Sequence, residues 1–325
     1  MHKMAAVLGI LLFVTALTVP FDRLVGAEAK NSQAFNDNKG VLSLIEPPVV
    51  SLTERFDQAV NEWIIQLSKQ SEFKSWGKAD WRREPLGPGM HGWIVLLSVK
   101  GKEVGYLVVG AKPDGQFILT EYGAGEYPLF SENTLYRSLV QQELIASSMT
   151  FEQFIQSETI REAHYYAPFA NIWSITLSGD DYWVDGKTGE LLPLNAKLLS
   201  GLQQQLDTDI DRSEVNSTPF TSQLAHTLTL PDFDPYFSLS WLKAEPLIIK
   251  DLQQLQTLLK EQTKLIYVTE PYEQTVLFAF PVTGYHEWCE GEPYLRVEHN
   301  GSRYVRAISM LQRGRFHQIP SPSYP

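Results

Sequence analysis

The sequence predicts an α+β protein of two small domains, each an antiparallel sheet with packed helices, preceded by an N-terminal export signal. Three observations carry this expectation. Capping-box signatures open amphipathic helical runs at Ser51 and Thr150, and short apolar runs are joined by tight turns, Asn300-Gly301 giving the strongest hairpin signal. The chain also begins with a basic start, an apolar run over 4–19 and a small-residue A-x-A exit ending at Ala29.

The leader has two outcomes. Cleavage after Ala29 is favoured; retention would leave the chain tethered through 4–19 to the outer face of a membrane. That run is about 16 residues, roughly 24 Å as a helix, against a hydrocarbon core near 30 Å. The single cysteine, Cys289, lies far downstream, which excludes a lipid-modified cysteine after the leader and an internal disulfide. Packing must therefore supply the stability, and 43% hydrophobic residues with 12% aromatic suffice for a sizeable core. The net charge of -11 disfavours nucleic acid, anionic lipid and anionic wall polymers.

Residues 30–48 are polar and end in Pro47-Pro48, the composition of a flexible spacer. An α+β domain over 49–195 follows. Ser51 and Glu54 form an S-x-x-E box, with Leu52, Phe56, Val60, Trp63, Ile64 and Leu67 on one helical face. Runs at 93–99, 104–109 and 117–122, joined by short turns, read as a meander; helices are expected at 131–145 and after Thr150, and strands at 172–177 and 182–184. Residues 196–234 read as a linker, helical where Leu198, Leu202, Leu206 and Ile210 recur every four positions. A smaller α+β domain over 235–325 holds a helix capped by Asp251, strands at 265–269 and 276–282, and a hairpin of 294–299 with 303–308 around Asn300-Gly301.

Few residues suggest catalysis. Cys289 with His286 is the one nucleophile candidate, and it supports an alternative reading as a divergent papain-like or C39-like cysteine peptidase. Glu287, Glu290 and Glu292 surround the thiol, and like charge opposes a thiolate, so Cys289 reads instead as a partly buried strand-end thiol. His286-x-x-Cys289 offers two zinc ligands where three or four are needed. Asp207, Asp209 and Asp211 begin an EF-hand spacing that fails at Arg212 and Thr218. Serine-hydrolase and nucleotide-binding signatures are missing, so neither cofactor nor metal is expected. Aromatic residues cluster at Tyr165, Tyr166, Trp173, Tyr182 and Trp183. Such side chains build cores, peptide grooves and glycan platforms alike, and a wall-glycan-binding structural protein is a further alternative.

Residues 172–193, IWSITLSGDDYWVDGKTGELLP, resemble the closing hairpin of PepSY-type domains, with Val184-Asp185-Gly186-Lys187-Thr188-Gly189-Glu190 matching its V-D-x-K-T-G-E turn. Asp-Gly and Thr-Gly are expected to supply the positive backbone angles of that turn. Residues 104–110 and 117–123 are similar to the meander in pro-domains of some bacterial secreted cysteine peptidases, without that family's catalytic motifs. The resemblances imply an extracytoplasmic module that contacts peptides or a protease. The expectation is thus a non-enzymatic exported protein binding proteins or peptides of the cell envelope through the hairpin at Tyr182 and Trp183 or through exposed strand edges. It touches no nucleic acid, and the membrane only through an uncleaved leader.

Overall fold

Among the described residues the apolar runs at 93–99 and 104–109 pair with one another. The computed structural model describes residues 51–202 and 223–319 apart from 238, 290 and 292; the leader, the spacer, Leu206, Ile210 and the Asp207, Asp209 and Asp211 triplet lie outside the described residues.

Helix α1 (Leu52–Leu67) starts at the expected capping box: Ser51 Oγ accepts from the Glu54 amide at 3.2 Å, and Glu54 Oε2 accepts from the Ser51 amide at 2.8 Å. Such a cap contributes about 1 kcal/mol. A 3-10 helix (Ser71–Lys78) follows, then β1 (Asp80–Pro85), β2 (Gly92–Val99), β3 (Lys102–Ala111) and β4 (Phe117–Ala124). Helices α2 (Glu132–Gln141) and α3 (Phe151–Gln156) lead into β5 (Ile160–Ala167), β6 (Ala170–Leu177) and β7 (Asp180–Asp185). Residues 196–202 form α4, which buries Leu198 and Leu202 as their spacing requires. The remainder is β8 (Leu224–Thr229), α5 (Leu252–Lys260), β9 (Leu265–Thr269), β10 (Phe278–Trp288), β11 (Pro293–Glu298), β12 (Ser302–Arg306), α6 (Ala307–Arg313) and β13 (Gly314–Gln318).

The strands make two antiparallel sheets. The smaller has the order β5-β6-β7; the larger runs β1-β2-β3-β4-β12-β11-β10-β9-β13, with β8 on β10. The larger sheet takes strands from both 49–195 and 235–325. Strand β4 pairs with β12, register Tyr122 opposite Tyr304, so strands from both sides of the expected linker share one sheet. The linker itself contributes β8, whose Leu228 lies opposite Tyr285. Strand β8 is mostly exposed, which accounts for its polar composition.

Burial explains the uninterrupted apolar runs in β2 and β3, because both faces are covered. On one face Val95, Leu97, Leu107, Val109 and Leu119 meet Phe56, Val60, Trp63 and Leu67 of α1 with Phe73 and Trp76. On the other, Ile94, Leu96, Tyr106 and Val108 meet Leu135, Leu139 and Phe154 from α2 and α3, and Trp173, Ile175 and Val184 from the small sheet. A third cluster packs Leu255, Leu259 and Met310 of α5 and α6 on Leu265, Tyr267, Val297 and Val305. Among the described residues no helix is long and apolar enough to cross a membrane.

Candidate peptide-binding groove

The residues of the alternative catalytic reading, His286 and Cys289, lie on β10 and just after it. His286 points from β10 into the aromatic core, its ring 4.0 Å from that of Tyr304 and its Nδ1 2.9 Å from the Tyr122 hydroxyl. Burial lowers its pKa to about 3, which makes it a poor acceptor for a thiol proton. Cys289 sits just past the end of β10, half-buried, with its backbone N–H donating to the Gln223 carbonyl at 2.8 Å. No group of three or more His, Cys, Asp and Glu side chains among the described residues is placed to hold a metal ion.

The aromatic candidates divide. Tyr165 and Trp173 are core residues packed under α2 and α3, and Tyr166 is buried beside Leu198 and Leu202. Tyr182 and Trp183 are half-buried on β7, with Trp183 lying against the same cluster as Tyr166. Their sequence proximity reflects strand alternation between two packed faces, so the five do not form one exposed aromatic platform.

The turn after β7 is built as a structural lock. Asp185 Oδ1 accepts from the amides of Lys187 and Thr188, at 2.9 and 2.7 Å, and from Thr188 Oγ1 at 3.1 Å. Gly189 adopts the expected positive φ, +79°. Gly186 does not. It is required instead by space, because a Cβ there would lie 2.6 Å from Phe130 and 3.3 Å from the Asn171 carbonyl. Lys187 turns inward, its ammonium donating to the carbonyls of Tyr127 and Asn300. Burial lowers its pKa to about 7.

Behind this turn lies a buried ionic centre that sequence patterning did not reveal. Glu121 of β4 and Arg303 of β12 are both fully buried; Arg303 Nε and a terminal guanidinium nitrogen donate to Glu121 Oε1 at 3.1 and 2.7 Å. The Tyr106 hydroxyl donates to the same oxygen at 2.5 Å, and that of Tyr165 to Oε2 at 2.9 Å. The other terminal nitrogen donates to His299 Nδ1 at 3.1 Å, and the guanidinium lies 4.5 Å from the Phe169 ring centroid. Burial holds the Tyr106 and Tyr165 hydroxyls well above the usual tyrosine range, so they act as donors. The centre joins β3, β4 and β12 of the large sheet to β5 of the small one. Its sequence signal is a carboxylate inside the mostly apolar β4; Arg303 sits in a strand that also carries Ser302 and Arg306.

Fixing the sheets in this way leaves a groove of about 810 Å³ between the end of β1 and the outer edge of β5. Glu84, Pro85, Gly87 and Pro88 form one wall; residues 157–163, with Glu132 and Trp173, form the other. At its closed end the Tyr165 N–H donates to the Leu86 carbonyl at 3.1 Å. Tyr165 therefore directs its backbone groups away from β6, and by the two-residue period of a strand so do Ala163 and Arg161. A Cβ on Gly87 would lie 2.3 Å from the Ala163 carbonyl oxygen, so this oxygen points away from β6 and packs against the Gly87 wall. Among the described residues strand β5 pairs only with β6, and β1 only with β2, so each sheet ends at this groove with an edge strand. Neither edge strand carries a clear signal in the sequence: 80–85 is too polar, and the tyrosines of 160–167 obscure its alternation. Ile160 is 61% exposed at the open end.

No family model matches the chain, and no curated protein or solved structure shows significant similarity to it.

Proposed function

We propose that this chain is an exported, non-enzymatic protein that binds peptides or proteins of the cell envelope, taking an extended segment as an added strand on the outer edge of β5. The PepSY-like hairpin reading belongs to the same proposal, with its turn as scaffold and the groove as binding surface. The backbone of Arg161, which the strand alternation turns away from β6 beside an open groove, carries the reading, since main-chain hydrogen bonding supplies affinity when a peptide joins a sheet edge. The half-buried Tyr182 and Trp183 then act as packing residues, and the peptide contacts fall to Ile160 and the rim of the groove.

The test is amide hydrogen exchange on the purified protein with alternating threonine–valine and lysine–valine heptapeptides. Exchange at Arg161 and Ala163 is expected to slow when a peptide binds, and peptides N-methylated at alternate positions are expected to give no protection. Absence of protection at β5 with every peptide overturns strand addition.

A further inference from the structure

We infer that the β5 groove selects a cationic extended segment, one presenting a basic, an apolar and a basic side chain at alternate positions. This rests on the strand-addition reading above and adds the chemical class of the partner. Four carboxylates, Glu84, Glu132, Glu158 and Glu162, line the groove against one guanidinium, Arg161.

Arg161 is already committed. Its Nε lies 3.3 Å from Glu132 Oε1, its terminal nitrogens donate to the carbonyls of Ile155, Phe154 and Thr159 at 2.9, 3.4 and 3.4 Å, and its guanidinium lies 4.9 Å from the Phe154 ring centroid. It ties α3 to β5 and offers no spare charge to a ligand. Glu84 is paired with Arg82 at 2.9 Å, both partly exposed.

Glu158 and Glu162 are left. Glu162 lies 3.6 Å from His164 Nε2, and partial burial keeps that imidazole below its ordinary value and neutral at pH 7. No cation is paired with Glu158 among the described residues. Both are exposed, and with Ile160 they occupy alternate positions 158, 160 and 162 leading into β5. Residues two apart in an extended chain share a face, and a strand laid alongside sets its own alternate side chains opposite them. The pattern carboxylate, isoleucine, carboxylate is complemented by cation, apolar, cation. An acidic or phosphorylated segment meets like charge at the groove and from the net charge of -11.

The test measures fluorescence anisotropy of three labelled heptapeptides of the pattern TXTVTXT, with X lysine, threonine or glutamate (the lysine–valine, threonine–valine and glutamate–valine peptides), on the purified protein and on an E158Q/E162Q variant. Both side chains are exposed, so the variant is expected to fold, and circular dichroism checks that it does. The lysine–valine peptide is expected to bind most tightly and to weaken with added salt. The double substitution should weaken it about three- to ten-fold and leave the threonine–valine peptide unchanged. Equal binding of lysine–valine and threonine–valine peptides, or no effect of E158Q/E162Q, overturns the cationic selection. If β5 amides are still protected in that case, strand addition stands; if no peptide protects them, that reading falls instead.

Discussion

Replacing Arg303 by methionine tests the buried ionic centre, because it removes the guanidinium and keeps much of the side-chain volume. In the native protein the Glu121 carboxylate is fully buried and takes four hydrogen bonds, two from Arg303 and one each from Tyr106 and Tyr165. After Arg303→Met it keeps only the two tyrosine donors, and an uncompensated charge remains between the sheets. Breaking a buried pair from one side costs about 3–5 kcal/mol, whereas neutralising both partners costs less, since only polar groups and no net charge are left to satisfy. The double variant Glu121→Gln/Arg303→Met, in which the oxygen of the introduced amide still accepts from tyrosine, is therefore expected to be more stable than Arg303→Met alone. Urea unfolding followed by tryptophan fluorescence on the wild type, both single variants and the double variant gives the interaction energy directly, expected to exceed about 1 kcal/mol. A loss under about 1 kcal/mol for Arg303→Met, or a double variant as unstable as the sum of the singles, would refute the argument that this charge pair holds the sheets together.

Three further perturbations follow from the same geometry. Lys187 has its pKa lowered from 10.5 to about 7, so between those values the unfolded chain holds a proton that the folded chain releases, and stability rises with pH; Lys187→Met is expected to remove that rise in urea midpoints taken between pH 7 and pH 10. His286 is lowered from 6.5 to about 3, so stability is lost as pH falls below 6.5, and His286→Phe is expected to lessen the fall in midpoint between pH 7 and pH 4; a parallel fall in both proteins would remove His286 from the account. Gly186→Ala places a methyl group 2.6 Å from Phe130 and is expected to cost about 1–3 kcal/mol by overpacking, measured by the same unfolding assay.

What the sequence disclosed followed from local physics. The Ser51 and Thr150 boxes, the Asp251 cap and the Asn300-Gly301 turn each depend on a few neighbouring residues, and each occurs in the structure. The meander of β2, β3 and β4 was legible because its apolar runs are bounded by short turns. What stayed hidden depends on partners distant in sequence. The pairing of β4 with β12 leaves no local trace, and the weak apolar content of 223–229 concealed an edge strand. Residues 307 and 308, expected to end the strand 303–308, instead open α6, with Ala307 and Met310 buried against β11 and β12. The groove was invisible for the same reason, since it exists only where the edges of two separate sheets face each other.

The seam between β4 and β12 also bears on the order in which the chain acquires its structure. Ala124 and Ser302, whose groups meet across that seam, are 178 positions apart. During synthesis the first meander is complete long before its neighbour exists, and until then it presents a bare strand flank with Glu121 lacking its guanidinium. Closing such a distant contact is slow, and the waiting flank invites mispairing with other chains. Fragments ending before β12 are thus expected to be sticky intermediates rather than autonomous modules, and the last quarter of the polypeptide acts as the keystone of the first.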